Sequence, residues 1–362
     1  MPGGTYARVL RGRDALTATQ APRNNRLMST TIEDLSLTNL PGPASVPSYR
    51  VERYIGDELA VSLEHFSNDD RELVLDLYKR LRAALRIVQT GMEEDNPLSA
   101  VRNLEEVDLR TFMLRFSRAF GTTGLMGIDQ DRSRQILHDI RGSALSIVNA
   151  RVDLLMMRGS DAEQDDLIGV FTSIRDHLKI LRNCVSDIDP ERRRQDLERK
   201  THAAGLLREK WSNYATASVE VHYISDFDGD LSSCCLEFSS LERVLYNLTN
   251  NAIRHAPDGE VWFFVTHVPD PEGAGSAKFV LANRIKDTER ERLVAEFGDR
   301  LGRLFAGGFS IGGTGVGLRV VADLVKNAYG IGTLEELIEG GYVGAEIRGG
   351  AFVSWVHWPV LG

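Results

Sequence analysis

Residues 241–255 read Leu-Glu-Arg-Val-Leu-Tyr-Asn-Leu-Thr-Asn-Asn-Ala-Ile-Arg-His, and this stretch decides how the C-terminal part of the chain is interpreted. Four apolar residues recur at helical spacing and would pack inward: Leu241, Leu245, Leu248 and Ala252. Asn247, Asn251 and Arg254 then share another face, because residues at i, i+4 and i+7 of a helix line up. A carboxamide oxygen binds a hard cation without adding charge, which suits a magnesium ion already neutralised by polyphosphate. The plain alternative is that these asparagines are only surface polar residues.

A glycine-rich segment follows at residues 307–318, Gly-Gly-Phe-Ser-Ile-Gly-Gly-Thr-Gly-Val-Gly-Leu. This segment predicts a flexible loop that leads into an apolar helix. Backbone amides at such a helix start bind anionic phosphate, because no side chain obstructs the approach and the helix dipole is favourable. A glycine cluster often does no more than turn the chain. Together with the asparagine helix it predicts a nucleotide pocket.

The apolar periodicity around these two segments switches between strand and helix. Strand-like stretches lie at 218–224, 261–268, 278–282, 342–348 and 351–357, and helix-like stretches at 239–256 and 316–328. This order predicts one α/β sandwich domain over residues 200–361. The charged run 191–200 before it is typical of a solvated helical face or a linker.

Two amphipathic helices precede the sandwich, over 130–158 and 161–188, with Asp189-Pro190 ending the second. The short turn between them predicts an antiparallel hairpin over residues 128–190. One hairpin does not bury two apolar stripes by itself. We therefore expect it to dimerise into a four-helix bundle.

His138 lies on the first of these helices, away from its apolar stripe, in the sequence Gln-Ile-Leu-His-Asp-Ile-Arg. A neutral imidazole nitrogen can attack a γ-phosphoryl group in line when the other nitrogen is oriented and the developing positive charge is stabilised. Asp139, which we expect on the exposed side, can do both. The outer face of this helix around His138, with Arg141 and Leu145, is the expected partner surface.

The N-terminal third is less informative. Residues 1–50 have the composition of a disordered tail and linker. Residues 51–125 predict a small helical module of unknown role, with a helix capped at Asn68-Asp69-Asp70 and running to Val88, and a second helix over 109–120.

Composition narrows the class of protein further. The formal charge of −9 argues against nucleic-acid binding. No apolar stretch reaches the roughly 18 to 20 residues needed to cross a bilayer, so we expect no membrane span. The three cysteines, Cys184, Cys234 and Cys235, form no disulfide framework and fit a reducing cytoplasm.

These motifs, in this order, resemble those of two-component sensor histidine kinases over about residues 128–361. His138-Asp139-Ile140-Arg141 is similar to the family H box, residues 247–252 to the N box, residues 313–318 to the second glycine box, and Phe297 with Phe305 to the F box. The resemblance implies a helical hairpin followed by a GHKL-type ATP-binding domain, with ATP and Mg²⁺ as cofactors. It also implies autophosphorylation of His138 in a homodimer and transfer to an aspartate of a response-regulator receiver domain.

The resemblance further implies roles for individual residues. His138 and Asp139 would be catalytic, and Asn251 would be the magnesium ligand. The nucleotide-binding residues would be Asn247, Asn251, Arg254, His255, Asn283, Gly313, Thr314, Gly315, Gly317 and Leu318.

Three positions depart from the family pattern. The first glycine box, whose aspartate binds the adenine amine, is missing, and Asn283 is our candidate for that contact, with Asp287 next. Gly142 stands where the family often places Thr or Asn for phosphatase action, so we expect poor phosphatase activity. Ser143 stands where the family usually has proline, so we expect the first helix to lack its usual kink.

Two other interpretations stay open. One is a catalytically degenerate phosphotransferase or signalling scaffold of the same architecture, since the pocket is incomplete. The other is a GHKL kinase acting on a serine of a partner, against which the hairpin with its His-Asp pair argues. The input signal, the receiver partner, and transfer within one subunit or between two are not readable from the sequence.

Overall fold

The computed structural model describes residues 40–43, 60–212, 214, 219–270, 273–311 and 315–361. The predicted tail therefore lies outside the described residues except for 40–43, as do Gly313 and Thr314. The first helices are α1 (Asn68–Glu93), α2 (Pro97–Val107), α3 (Leu109–Ala119), α4 (Gln130–Arg141), α5 (Ser143–Arg158), α6 (Gln164–Cys184) and α7 (Pro190–Asp196). None of the helices in the described part of the chain has the length and apolar character to span a bilayer.

Local sequence explains where these helices begin. The Ser67 hydroxyl caps α1 by accepting from the amide of Asp70 at 3.2 Å, one residue before the predicted cap. The prediction that Asp189-Pro190 ends a helix is wrong: α6 ends at Cys184, and Pro190 is the first residue of α7 with Asp189 as its cap. Proline suits that position because its missing amide would have no partner there.

Helices α5 and α6 form the predicted hairpin, and α1 packs along α6. The apolar stripe of α6 is almost fully buried, with Leu167, Ile174 and Leu181 each 0% exposed. On α1, Leu77 and Leu81 are equally buried. The premise that the hairpin needs a second copy to cover its stripes is therefore wrong, because the N-terminal module of the same chain covers them. Homodimerisation stays a prediction, but it no longer follows from these stripes.

The helix that carries His138 is interrupted, contrary to the expectation of an unkinked helix. Helix α4 ends at Arg141 and α5 begins at Ser143, with Gly142 at φ −91° and ψ −135° between them. A Cβ atom on Gly142 would lie 2.1 Å from the carbonyl oxygen of His138. Glycine therefore permits a break that a residue with a side chain would obstruct.

The C-terminal part is the predicted α/β sandwich. Its strands are β1 (Arg199–Ala203), β2 (Glu220–Ser225), β3 (Asp230–Cys234), β4 (Glu260–Asp270), β5 (Gly273–Arg284), β6 (Val343–Arg348) and β7 (Ala351–Pro359). Its helices are α8 (Gly205–Trp211), α9 (Cys235–Arg254), α10 (Asp287–Phe297), α11 (Gly317–Tyr329) and α12 (Leu334–Glu339). The charged run 191–200 is divided between α7 and the start of β1, so the expectation of one solvated helix or linker is only half met.

A mixed sheet organises this part, in the order β2-β4-β5-β7-β6, while β1 and β3 pair separately. Strand β2 is parallel to β4, and the other neighbours are antiparallel. Helices α9 and α11 pack against each other and cover one face of the large sheet. The apolar residues beneath them are continuous with those of the helical part, so one core supports both. The predicted helical N-terminal part and the predicted α/β C-terminal part are both confirmed, whereas the four-helix bundle stays a prediction.

Candidate functional site

A cavity of about 480 Å³ lies between α4, α9, the start of α11 and the sheet. Its walls contain most of the predicted site residues: His138, Asn247, Asn251, Arg254, His255, Asn283, Gly315, Gly317 and Leu318. Asp139 is not in the wall, and Gly313 and Thr314 lie outside the described residues. Residues almost two hundred positions apart in the sequence thus meet at one site.

Helix α9 supplies the asparagine wall as its periodicity predicts. Its apolar residues Leu241, Leu245 and Leu248 are 0 to 1% exposed and face the core. Asn247 is 3% exposed and donates from Nδ2 to the carbonyl oxygen of Arg243 at 2.9 Å. This bond fixes the amide with its oxygen toward the start of α11. One turn further on, Asn251 is half-buried.

Gly317 opens α11 beside these asparagines. A Cβ atom placed on Gly317 would lie 3.1 Å from Asn247 Oδ1 and 3.7 Å from His138 Cε1. A side chain here would therefore fill the space between the asparagine wall and the histidine. Because α11 begins at this glycine, its free amides and positive dipole end point into the same space. The site fits a polyphosphate with an associated cation.

His138 faces this space. Its side chain is 15% exposed, and Nδ1 lies 3.6 Å from Asp139 Oδ1. Nδ1 is buried and has no hydrogen-bond partner among the described residues. A small approach of Asp139 would make Nδ1 the protonated, oriented nitrogen and leave Nε2 as the nucleophile.

Asp139 is not on the exposed side of its helix, contrary to our expectation. The residue is 5% exposed, and its carboxylate pairs with the guanidinium of Arg243 on α9. Burial is the largest single effect and would raise the pKa of Asp139, but the Arg243 guanidinium and the adjacent His138 imidazole together outweigh it and lower the pKa. Asp139 is therefore a carboxylate that can orient His138 and stabilise its positive charge, but it is a weak proton acceptor. Leu145 is also buried, so it cannot belong to an outer partner surface.

The far end of the cavity is closed by β5, α10 and the glycine-rich loop. Asn283 is 1% exposed and donates from Nδ2 to the carbonyl oxygens of His255 at 3.1 Å and Arg284 at 2.8 Å. His255 Nδ1 lies 3.0 Å from Glu289 Oε1. The fallback residue Asp287 is not in the wall; it is exposed and pairs with Arg290 at 2.9 Å.

Several wall residues were missed by the sequence analysis. Glu289 takes the place expected for Asp287, and Phe309 from the glycine loop packs edge to face on Phe297 at 5.1 Å. Phe305 of the predicted F box is fully buried behind them. Phe309 has a signal in the sequence, as an aromatic residue between glycines of a loop. Glu289 has none, because only the turn of α10 brings it to the cavity.

Residues 238–360 match the family model described as the histidine kinase-, DNA gyrase B- and HSP90-like ATPase. The chain thus contains a GHKL-type ATPase domain, a class whose members bind ATP. The prediction of this domain is confirmed.

Solved structures that are similar to this chain include three histidine kinases. A mycobacterial sensor histidine kinase, MprB, is 17% identical, with 45% of this chain and 99% of that chain covered and a TM-score of 0.26. The Acinetobacter baumannii histidine kinase AdeS is 13% identical, with 62% and 98% covered and a TM-score of 0.26. The histidine kinase domain of the Erythrobacter litoralis blue-light activated kinase EL346 is 9% identical, with 62% and 95% covered and a TM-score of 0.29. No curated protein sequence matches the chain.

Proposed function

We propose that this protein is a histidine autokinase that phosphorylates His138 from Mg-ATP. The observation that carries the proposal is the placement of His138 in the wall of the cavity formed by the GHKL-type domain, opposite Asn247 and Gly317. A serine kinase of this class would have no use for a histidine at that point. The proposal divides the chain into a helical module at 51–125, a phosphoacceptor hairpin at 128–190 and an ATP-binding domain at 200–361. The described part of the module, residues 60–125, packs against the hairpin.

In the proposed reaction, the lone pair of His138 Nε2 attacks the γ-phosphorus of ATP. The new P–N bond forms as the bond to the bridging oxygen breaks, and ADP leaves with that electron pair. The carboxylate of Asp139 stabilises the positive charge on the ring, whose Nδ1 proton is later released to solvent. Asn251 is our proposed ligand for the magnesium ion, which when bound would neutralise charge on the phosphates. Asn247, Arg254, His255, Gly315, Gly317 and Leu318 would hold the nucleotide around them.

The later steps follow from the family resemblance. We propose that the phosphoryl group passes to an aspartate of a response-regulator receiver domain, and that the protein works in the cytoplasm. A homodimer, which the resemblance also implies, would have to form through a surface other than the stripes already buried. The second candidate function is a phosphotransferase or scaffold without ATP-dependent activity, which the missing first glycine box favours.

The test is incubation of the purified protein with Mg²⁺ and γ-labelled ATP, followed by acid and alkali treatment of the labelled protein. We expect acid-labile, alkali-stable label that disappears in His138→Ala and Asn251→Ala. His222→Ala is the matched control for the histidine, because its side chain is 16% exposed against 15% for His138. Asn103→Ala, on the exposed side of α2, is the control for the asparagine.

If the protein neither becomes labelled nor binds ATP, the result would support the scaffold or phosphotransferase function instead. Label that is stable to acid and survives in His138→Ala would instead indicate transfer to a hydroxyl group.

A further inference from the structure

The helix that carries His138 is attached to the ATPase domain on both sides of the histidine. Before His138 in sequence, Gln135 Nε2 donates a hydrogen bond of 2.6 Å to Asp323 Oδ2 on α11. Directly after it, the Asp139 carboxylate pairs with the Arg243 guanidinium on α9. His138 is thus held between two contacts that belong to different helices of the ATPase domain.

The contact after His138 is deeply buried. The side chains of Asp139 and Arg243 are only 3% and 4% exposed. A buried charge is strongly disfavoured unless an opposite charge meets it, so separating this pair while both groups stay buried is costly. Helix α4 can therefore leave the ATPase domain only when this ion pair is broken and both charges reach water.

The contact before His138 belongs to a small network. Asp323 Oδ2 also accepts from Arg319 Nε at 3.0 Å, one turn earlier on α11. Arg319 Nη1 in turn donates to the carbonyl oxygen of Ala306 at 3.3 Å, just before the glycine-rich loop. Asp323 thus connects the histidine helix to the helix that begins at Gly317 and to the edge of the loop.

Both contacts fix His138 relative to the parts of the cavity that would hold phosphate. Arg243 lies one turn before Asn247. Its carbonyl oxygen accepts the hydrogen bond that the side-chain amide of Asn247 donates. Asp323 lies on the helix whose first residue faces the histidine. The same two helices that form the cavity wall therefore set the distance from the imidazole to that wall.

We propose that Arg243 and Asp323 are positioning residues that clamp helix α4 against the ATPase domain, so that His138 receives phosphate from the cavity of its own chain. This proposal rests on the proposed autokinase function. It also assigns transfer within one chain, since Gln135 and Asp139 contact Asp323 and Arg243 of the same chain. The clamp must open before a receiver domain can reach His138, because the ATPase domain covers the face that carries it.

Accessibility of His138 tests the clamp without requiring kinase activity. The full chain is treated with diethyl pyrocarbonate, without nucleotide, and carbethoxylation of each histidine is followed by peptide mass mapping. In Arg243→Gln, in Asp323→Ala and in the double variant we expect His138 to react several-fold faster than in the wild type. His222 is the internal control, because its starting exposure is nearly the same.

Arg243→Lys keeps the charge and should keep most of the protection. If a variant of the buried Asp139–Arg243 pair fails to fold, Asp323→Ala still tests the clamp, because Asp323 is not a member of that pair. An unchanged rate at His138 in the double variant would overturn the clamp. An equal rise at His222 would also overturn it, since such a rise indicates general loosening of the protein.

Kinetics then separate positioning from nucleotide binding. At saturating ATP we expect Arg243→Gln and Asp323→Ala to label His138 about tenfold to a hundredfold more slowly, because small misplacements of a reacting group cost this much. The dissociation constant for ATP should stay within about twofold of the wild type, and Arg243→Lys should recover most of the rate. A loss of rate explained by weaker ATP binding would contradict the proposal. A wild-type protein that binds ATP but carries no label would refute the autokinase function alone, since the accessibility results do not depend on it.

Discussion

The hydroxyl of Tyr246 on α9 donates a hydrogen bond of 3.1 Å to the carboxylate of Asp176 on α6, and so joins the ATPase domain to the hairpin. Asp176 is fully buried and also accepts from Lys210 Nζ at 2.5 Å. Glu242, 1% exposed, accepts from the same Lys210 at 3.1 Å and lies 3.6 Å from Lys179 Nζ. Two carboxylates and two ammonium groups from three helices thus form a buried cluster, which the partly exposed Arg175 guanidinium joins at 3.2 Å from Asp176 Oδ1. Burial would raise the pKa of Asp176, but the nearby cations lower it well below its ordinary value.

Asp176→Ala should destabilise the protein strongly. The substitution leaves Lys210 and Lys179 with only Glu242 and leaves the Tyr246 hydroxyl without its acceptor. Removing one member of a buried ion cluster typically lowers the free energy of unfolding by about 3 to 5 kcal/mol. Urea unfolding of the two proteins measures the difference. Glu191→Ala is the control, because the Glu191–Arg194 pair is exposed and its loss should not change the unfolding midpoint measurably. Equal midpoints for Asp176→Ala and the wild type would show that the cluster contributes nothing.

Asn283→Ala should weaken ATP binding by up to about tenfold, since a lost neutral hydrogen bond is worth on the order of 1 kcal/mol. The amide of Asn283 holds the carbonyl oxygen of His255, so the substitution also frees the end of α9 that forms part of the wall. Equilibrium dialysis with labelled ATP measures the affinity. Asp287→Ala should leave it unchanged, because Asp287 points to solvent. If Asn283→Ala binds ATP as tightly as the wild type, our assignment of this residue to the adenine end is wrong, and Glu289 is the next residue to substitute.

Gly142→Ala should slow phosphorylation of His138 far more than it weakens ATP binding. The new Cβ atom would meet the carbonyl oxygen of His138, so the backbone that carries this histidine must move. A displacement of this kind costs roughly a hundredfold in rate. Gly205→Ala is the matched control, since a Cβ atom at that helical glycine meets nothing within 4 Å. A Gly142→Ala protein with the wild-type rate would show that the break between α4 and α5 is not needed.

The local apolar periodicity of the sequence was sufficient to predict the helices and strands that form the cavity. The helix that carries Asn247 and Asn251, the glycine helix start at Gly317 and the five strands of the large sheet all follow from periodicity within a few residues. Strands β1 and β3 were missed, because each has five residues of mixed polarity and no clear alternation.

Pairing between distant segments was not predictable from the sequence. Arg243 has the appearance of a solvated arginine on an amphipathic helix, and nothing near it indicates a carboxylate 104 residues away. The apolar stripe of α1 was recognised but was not matched to the stripe of α6. Each stripe needs a partner, and periodicity does not say whether that partner lies in the same chain.

The pH dependence of stability should reveal a buried neutral histidine beneath the helix that carries His138. His177 on α6 is 0% exposed, and burial lowers its pKa to about 4 from an ordinary value of 6.5. The unfolded chain therefore binds a proton at a pH where the folded protein does not. Stability from this group is fully present above pH 6.5 and is lost as the pH falls toward 4. Between pH 7 and pH 5 the loss from His177 alone is about 2 kcal/mol.

His177→Leu removes this group while keeping an apolar side chain of similar size in the core. We expect the free energy of unfolding of the variant to fall by about 2 kcal/mol less than that of the wild type between pH 7 and pH 5, as measured by urea unfolding at both values. His202 and His357 account for part of the pH dependence of stability that remains in the variant. Burial lowers the pKa of His202 to about 4 and that of His357 to about 3. If the free energy of unfolding falls by the same amount in both proteins between pH 7 and pH 5, His177 is solvated or charged in the folded state. Because the negative charge of Asp139 acts on His177, a protonated His177 would compete with Arg243 for that carboxylate, so acidification should loosen the turn that carries His138 before the rest of the fold.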